Sequence, residues 1–343
     1  MRKTRVLIVD DSRTMRRLIA TTLLRDPEVE VVGEAGDPYE AREAIKALSP
    51  DVLTLDVEMP GMDGISFLRK LMRLRPTPVV MVSTLTARGA AVAIEALAEG
   101  AVECVCKPGH GDNGESFAAL PGIVKLAARA RLRGPVPAGA RPAAVVSKSF
   151  AQDRIVMMGA STGGVDALSA ILGGWPANCP PTLIVQHMPV GFTRLLAARL
   201  DVAAAPRVME AANGAPLRAG VVYIAPGGPL HLEIDPSGRH CRLVEGPKMH
   251  GVSPAVDRLF ASAEPSAAKV AAAVLSGMGR DGADGLRALR DAGARTFAQD
   301  EGSSVVFGMP RAAAEAGGAE RVLPLEKIRD ALLRACAASP HPA

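Results

Sequence analysis

The sequence predicts an α/β protein built as two units, each a parallel sheet covered by helices on both faces. Three observations predict it. Along residues 5–108, short β-branched runs alternate with segments whose apolar residues recur at helical spacing. A Pro-, Gly- and Ala-rich stretch then breaks the rhythm, which resumes at residue 154. The composition is 48% hydrophobic but only 3% aromatic, so Ala, Val, Leu and Ile must build the core, which suits α/β layers.

The first unit reads as five strand–helix repeats. The strand runs are "RVLIVD", "VEVVGEA", "DVLTLDV", "PVVMVST" and "AVECVCKP". Between them lie the helical patterns "SRTMRRLIATTLL", "PYEAREAIKAL", "GISFLRKLMRL" and "ARGAAVAIEALAEG", and "FAALPGIVKLAARARL" reads as one closing helix. The expected bounds are residues 1–130 for this unit and 131–152 for a semi-extended linker, "RGPVPAGARPAAVVSKS" at its centre. Residues 153–343 form the second unit. Its strand runs are "RIVMMGA", "TLIVQHM", "GVVYIAPGG", "KVAAAVLSGMG" and "ARTFAQD". "VDALSAILGG", "TRLLAARL", "SPAVDRLFASA" and "DGLRALRDAG" have helical spacing. "LHLEIDPSGRHCRLVEG" predicts a hairpin turning at "DPSG". The second unit is thus a Rossmann-like parallel α/β layer with a small antiparallel hairpin.

The 343 residues carry 22% charged residues and a net charge of +4, with no long basic run, so nucleic acid is not an expected partner. No apolar stretch of membrane-spanning length is present, so direct membrane insertion is not expected. The start "MRKTRVLIVDDS" turns acidic too soon for a signal peptide. The five cysteines, Cys104, Cys106, Cys179, Cys241 and Cys336, form no CxxC and read as buried thiols of a cytoplasmic protein. Cys104 and Cys106 are expected in the core.

Acids collect at strand ends in the first unit. "LIVDDS" puts Asp10 and Asp11 at the end of the first strand, and "TLDVEMPGMDG" puts Asp56 at the end of the third. Functional groups in doubly wound sheets gather at the C-terminal strand ends. Three carboxylates meeting there repel unless a proton or cation neutralises them. All-oxygen donors favour a hard ion, Mg²⁺ or Mn²⁺. Ser83 ends the fourth strand and Lys107 ends the fifth. A cation, a lysine and a hydroxyl would together cradle a phosphoryl group arriving on a carboxylate. Any one aspartate alone reads as a helix N-cap; the full set at successive strand ends does not.

This order of residues resembles the receiver domain of two-component response regulators, over residues 5 to about 125. The resemblance implies a five-stranded, doubly wound, flavodoxin-like fold. It implies phosphorylation of Asp56 by a partner histidine kinase. It implies Mg²⁺ held by Asp10, Asp11, Asp56 and the backbone carbonyl of Glu58, with Ser83 and Lys107 on the phosphoryl oxygens. A cis Lys107–Pro108 bond also fits the family. The sequence departs from it in one place: Cys104 stands where receivers usually carry a switching aromatic.

The second unit carries a serine in a turn of small residues. In "IVMMGASTGG", Ser161 ends an apolar run and a helical pattern follows. Small neighbours admit a carbonyl, and the helix start supplies free N–H groups. Such a turn suits a nucleophile; it also suits phosphate or dinucleotide binding, although the spacing is not GxGxxG. The next strand ends on His187, placed to act as a general base. A third ends in a glycine-rich turn with Asp281, which could orient the imidazole. Asp284 is an alternative one turn into the next helix, more simply read as solvated. The chain order Ser, His, Asp differs from the Ser, Asp, His of α/β-hydrolases, and their G-x-S-x-G elbow is read as absent. Tyr223 and His250 either line the cleft or are structural, and "AQDEGSSVVFGMP" walls it as strand, loop and helix start.

"GASTGG", "QHMP", "LSGMGRDGADG" and "AQDEGSSVVFGMP" resemble the catalytic domain of the chemotaxis protein-glutamate methylesterases, and with the receiver in front the resemblance covers residues 5 to 335. It implies Ser161 as nucleophile, His187 as base and Asp281 as orienting acid. It implies the Met278 N–H in the oxyanion hole, Thr162 supporting the serine, and no cofactor in this domain. The implied reaction is hydrolysis of glutamate 5-methyl esters on methyl-accepting chemoreceptors, activated by phosphorylation, with glutamine deamidation as a second activity. The rivals are a catalytically silent binding module, a transcriptional output, and an esterase of another sensory pathway. The intact Ser161, His187 and Asp281 oppose the first, and the lack of a basic recognition helix opposes the second.

Overall fold

The computed structural model describes residues 2–59, 61–84, 86–108, 115–130, 132, 150–151 and 153–338. The chain divides into two compact units, Met1–Pro137 and Ala138–Ala343. The expected linker, 131–152, lies outside the described residues except for 132, 150 and 151.

The first unit is a five-stranded parallel sheet of β1 (Thr4–Val9), β2 (Val29–Ala35), β3 (Val52–Asp56), β4 (Val79–Ser83) and β5 (Glu103–Cys106) in the order β2-β1-β3-β4-β5. The chain order reverses between β1 and β3, which opens a crevice at their C-terminal ends. Val6, Leu7, Ile8, Leu53 and Leu55 are buried, as a parallel strand covered on both faces requires. Helices Arg13–Leu23, Pro38–Leu48, Gly64–Leu74 and Ala87–Ala98 are capped by the side chains of Ser12, Asp37, Asp63 and Thr86. Other residues therefore do the capping, and Asp10, Asp11 and Asp56 stay clear of it.

Three expectations change in this unit. The closing helix is two short pieces, Glu115–Ala118 and Leu120–Ala127. Pro121 lies in the first turn of the second piece; it has no N–H to continue an incoming helix, so the helix restarts there. Cys104 and Cys106 are half-buried, and Val105 between them is the buried residue of β5. Among the described residues the cis peptide bond is Ser253–Pro254; Lys107–Pro108 is not cis.

The second unit is a seven-stranded sheet with a separate hairpin. Its strands are β6 (Ile155–Ala160), β7 (Thr182–Gln186), β8 (Arg207–Glu210), β9 (Val221–Ile224), β12 (Val270–Val274), β13 (Arg295–Gln299) and β14 (Arg321–Leu323). All pair in parallel, in the order β14-β13-β12-β6-β7-β9-β8. The hairpin, β10 (Leu230–Ile234) and β11 (Cys241–Glu245), is antiparallel and turns at Asp235–Gly238 as expected. The edge strands β8 and β14 are additions to the sequence reading. The chain starts this sheet at β6, builds outward through β7, then returns to lay β12 on the other side of β6. The reversal therefore falls at β6, and its C-terminal end opens between β7 and β12.

Candidate functional site

In the first unit, Asp10 follows β1, Asp56 ends β3 and Lys107 follows β5, so three strand ends bring them together. The Lys107 ammonium lies 2.9 Å from Asp10 Oδ2 and 2.8 Å from Asp56 Oδ2. Asp10 and Asp56 are buried and Asp11 is exposed at the rim. Carboxylate oxygens of all three lie within 4.8 Å of one another. Burial, then the Asp10 charge, pushes the Asp56 carboxyl up to about 6 against the pull of Lys107. Burial disfavours the charged lysine, but the two carboxylates outweigh it and hold it protonated. Three carboxylates facing one ammonium leave a surplus of negative charge, and Asp10 Oδ2 accepts no well-aligned hydrogen bond. A hard divalent cation fits that donor set.

Glu58 lies beside this cluster, its N–H reaching Asp56 Oδ1 at 3.3 Å. Ser83 is buried, but its hydroxyl donates to Gly89 O at 3.1 Å, so here it serves the following helix rather than the carboxylates. Burial raises both half-buried thiols of β5, Cys104 well above its ordinary value and Cys106 to about 11, which makes them poor nucleophiles.

In the second unit, Ser161 follows β6, His187 follows β7, and Asp281 lies in the turn after β12. These strands are the adjacent centre of the sheet, so one crevice receives all three residues. His187 Nε2 stands 2.8 Å from Asp281 Oδ2. Asp281 is 2% exposed and also accepts the N–H groups of Val256 at 2.7 Å and Asp257 at 2.9 Å. Burial alone would raise its pKa; the His187 contact and the two backbone donors prevail and hold it below the usual carboxylate range. With Nε2 engaged, Nδ1 is the ring nitrogen left for a reacting group. Among the described residues no hydrogen bond joins the Ser161 hydroxyl to the imidazole, a bond that often tightens only when substrate binds.

The serine turn is held through its backbone. Ser161 N–H donates to Ser276 O at 3.0 Å, and Gln186 Nε2 donates to Ser161 O at 2.9 Å. Gly159 and Gly163 do stand at the G-x-S-x-G spacing around Ser161, a signal the sequence reading set aside. Each is sterically required: a Cβ on Gly159 would lie 2.3 Å from Val256 Cγ1, and Gly163 has φ +75° at the start of helix Gly164–Leu172. A Cβ on Gly277 would lie 2.9 Å from Ser161 Cβ. The N–H of Met278 meets no acceptor among the described residues, and Met278 is 43% exposed beside the serine turn. That N–H is free to bind an oxyanion.

Sequence reasoning missed Ser276 and Gln299. The buried Ser276 hydroxyl donates to Thr162 O at 2.8 Å and accepts from Val306 N at 3.0 Å, while its N–H donates to Gln299 Oε1 at 2.8 Å. Ser276 thereby ties the turn containing Thr162 to the "AQDEGSSVVFGMP" wall. Its only signal was its place at the end of β12. Tyr223 is structural: it is buried, donates to Pro216 O at 2.6 Å and accepts from Arg218 N at 3.1 Å. His250 pairs with Asp257 at 2.9 Å. Asp284 is exposed and bound to Arg280 at 2.8 Å, so Asp281, not Asp284, meets His187. Among the described residues no helix is long and apolar enough to cross a membrane.

The family model described as CheB methylesterase matches residues 156–332, and that described as response regulator receiver domain matches residues 6–116. The chain is 53% identical over 337 residues to protein-glutamate methylesterase/protein-glutamine glutaminase 1 of Caulobacter vibrioides, covering 97% of this chain and 98% of that one. It is 52% identical over 337 residues to a protein of the same description from Rhizobium etli, covering 97% of each. Among solved structures, the CheB methylesterase catalytic domain of Thermotoga maritima matches with a TM-score of 0.51 at 41% identity, covering 53% of this chain and 97% of that one.

Proposed function

The chain belongs to the CheB methylesterase family, and from that premise we propose that it hydrolyses glutamate 5-methyl esters, and deamidates glutamines, on methyl-accepting chemoreceptors in the cytoplasm. The observation that carries the reading is the buried Asp281 holding His187 at 2.8 Å beside the Ser161 turn. Ser161 Oγ attacks the ester carbonyl while His187 Nδ1 takes its proton. The Met278 N–H receives the charge that develops on the carbonyl oxygen. Asp281 keeps the proton on Nε2 and stabilises the imidazolium. The imidazolium then gives its proton to the leaving methoxide oxygen, or to the amide nitrogen, as the bond to carbon breaks, releasing methanol or ammonia. Water, deprotonated by His187, attacks the acyl-enzyme and frees a glutamate carboxylate. Thr162 supports the serine through its carbonyl bond from Ser276.

The receiver regulates this reaction. Asp56 accepts a phosphoryl group from a histidine kinase. Asp10, Asp11, Asp56 and the Glu58 carbonyl would hold Mg²⁺, which would supply positive charge to offset the carboxylates and a phosphoryl group. Lys107 contacts the phosphoryl group, and Ser83 contacts it after its hydroxyl leaves Gly89 O. The catalytic domain uses no cofactor in this reading, since its own side chains and backbone supply every proton and charge.

The test is methanol release from methylated chemoreceptor cytoplasmic fragments by the full chain with Mg²⁺, with and without a small phosphodonor. Release that rises with phosphodonor and vanishes in Ser161→Ala supports both parts. Release unchanged by verified Asp56 modification refutes the regulation, and no release from folded protein refutes the substrate.

A further inference from the structure

His231 lies on β10 of the hairpin, is 1% exposed, and uses both ring nitrogens. Its Nδ1 lies 3.1 Å from the Ala255 N–H, and its Nε2 lies 3.1 Å from Pro247 O. A backbone N–H only donates and a carbonyl only accepts, so the ring is neutral with its proton on Nε2. It has little room to swing, since a Cβ on Gly246 would stand 3.2 Å from its Cδ2.

Ala255 is the N-cap of helix Val256–Ser262 and makes no side-chain cap. The first N–H groups of a helix have no partner within it, so whatever they bind sets the aim of that turn. Three consecutive N–H groups are spent here in order. Ala255 goes to His231, Val256 to Asp281 Oδ2 at 2.7 Å, and Asp257 to Asp281 Oδ1 at 2.9 Å. The same Oδ2 meets His187 Nε2.

We infer that His231 is a positioning residue for ester hydrolysis. By accepting the Ala255 N–H it aims the next two N–H groups at Asp281, and through Asp281 it orients the His187 imidazole. The inference rests on the reading of His187 as the base. It also gives the hairpin, which lies outside the seven-stranded sheet, a direct line to the catalytic dyad.

Two shape-matched variants of the full chain separate aiming from mere filling. His231→Asn keeps an acceptor near Nδ1 for Ala255 and loses the donor to Pro247. His231→Gln keeps a donor near Nε2 and leaves the Ala255 N–H unpaired. Both variants are expected to melt below the wild type. His231→Gln loses kcat about tenfold or more with KM held, and its acid limb of kcat/KM moves, because small misplacements of a reacting group are costly. His231→Asn stays within about threefold. A readout free of turnover accompanies these, the proton resonance of the His187 Nε2–H, which shifts in His231→Gln and not in His231→Asn. Equal kcat losses in both variants, or none in either, overturn the inference. If the wild type releases no methanol, the parent reading falls and the resonance alone decides this one. If His231→Gln does not fold, an unchanged resonance and kcat in His231→Asn support the inference, and a changed resonance overturns it.

Discussion

Gly277→Ala tests whether the serine turn is held by contact as closely as the geometry says. Gly277 lacks the left-handed backbone that would itself penalise alanine, so the whole effect is steric. The new Cβ would lie 2.3 Å from Met309 Sδ, 2.9 Å from Ser161 Cβ and 3.1 Å from Ser161 N. Met309 is 0% exposed, yet its long side chain can turn; the Ser161 atoms belong to the backbone turn and must move with it. Restoring ordinary contact with Ser161 Cβ requires a shift of roughly 0.5–1 Å. Displacing a reacting group by about 1 Å costs on the order of 10²-fold in rate. Overpacking one methyl costs about 1–3 kcal/mol, or some 2–10 °C in a unit of this size. Expected, then, are a melting temperature lowered by several degrees and methanol release reduced by about 10–10²-fold. Labelling of Ser161 by an organofluorophosphonate, which needs no chemoreceptor, should slow in parallel. A variant that melts as the wild type and turns over within twofold would refute the close packing of Ser161 against the turn after β12.

Asp281→Asn should lower kcat by about 10²–10⁴-fold, because the amide presents a donor where His187 or a backbone N–H now donates; the check is pre-steady-state methanol release. Since the Asp281 pKa is depressed on folding, its stabilising contribution is present above the ordinary carboxylate pKa and is lost as pH falls through the depressed value. The melting temperature should therefore fall less steeply with pH in the acid range in this variant. The Asp56 carboxyl behaves oppositely. With a folded value of about 6, its proton is retained by the native state, so its contribution to stability falls as pH rises through 6. Mg²⁺ competes for the same oxygens. The rise in melting temperature on adding Mg²⁺ should be full at pH 8 and shrink below pH 6, and Asp56→Asn should remove that pH dependence; thermal scans across pH settle it.

The interior strands were legible because β-branched runs bounded by turn residues leave a period that survives in one sequence. The edges were not. The run "RVME" of β8 and "RVL" of β14 are four and three residues long and partly exposed, too short to carry a period. The broken helix at Ala119 did carry a signal, Pro121, which an unbroken helix should have forbidden. The thiols of β5 were expected in the core, yet Val105, on the opposite phase, is the residue that is buried. Alternation tells which residues share a face and not which face is covered.

The site divides the same way. Ser161, His187 and Asp281 were legible because strand ends are where such sheets work, and each ends a readable run. What makes them a working set was not. β12 lies beside β6 through a crossover of more than a hundred residues, and the donors that fix Asp281 are backbone N–H groups of Val256 and Asp257. Every residue but proline carries an N–H, so the sequence holds no mark of which ones face inward. The same holds for the free N–H of Met278. The buried Asp281 carboxylate keeps its charge through His187 and the N–H groups of Val256 and Asp257 together. That carboxylate is already in place against Nε2 when a proton reaches the ring, so no rearrangement is needed to stabilise an imidazolium. The setting of this His187–Asp281 pair thus rests in part on the turn that starts at Ala255, whose contribution is made by backbone N–H groups.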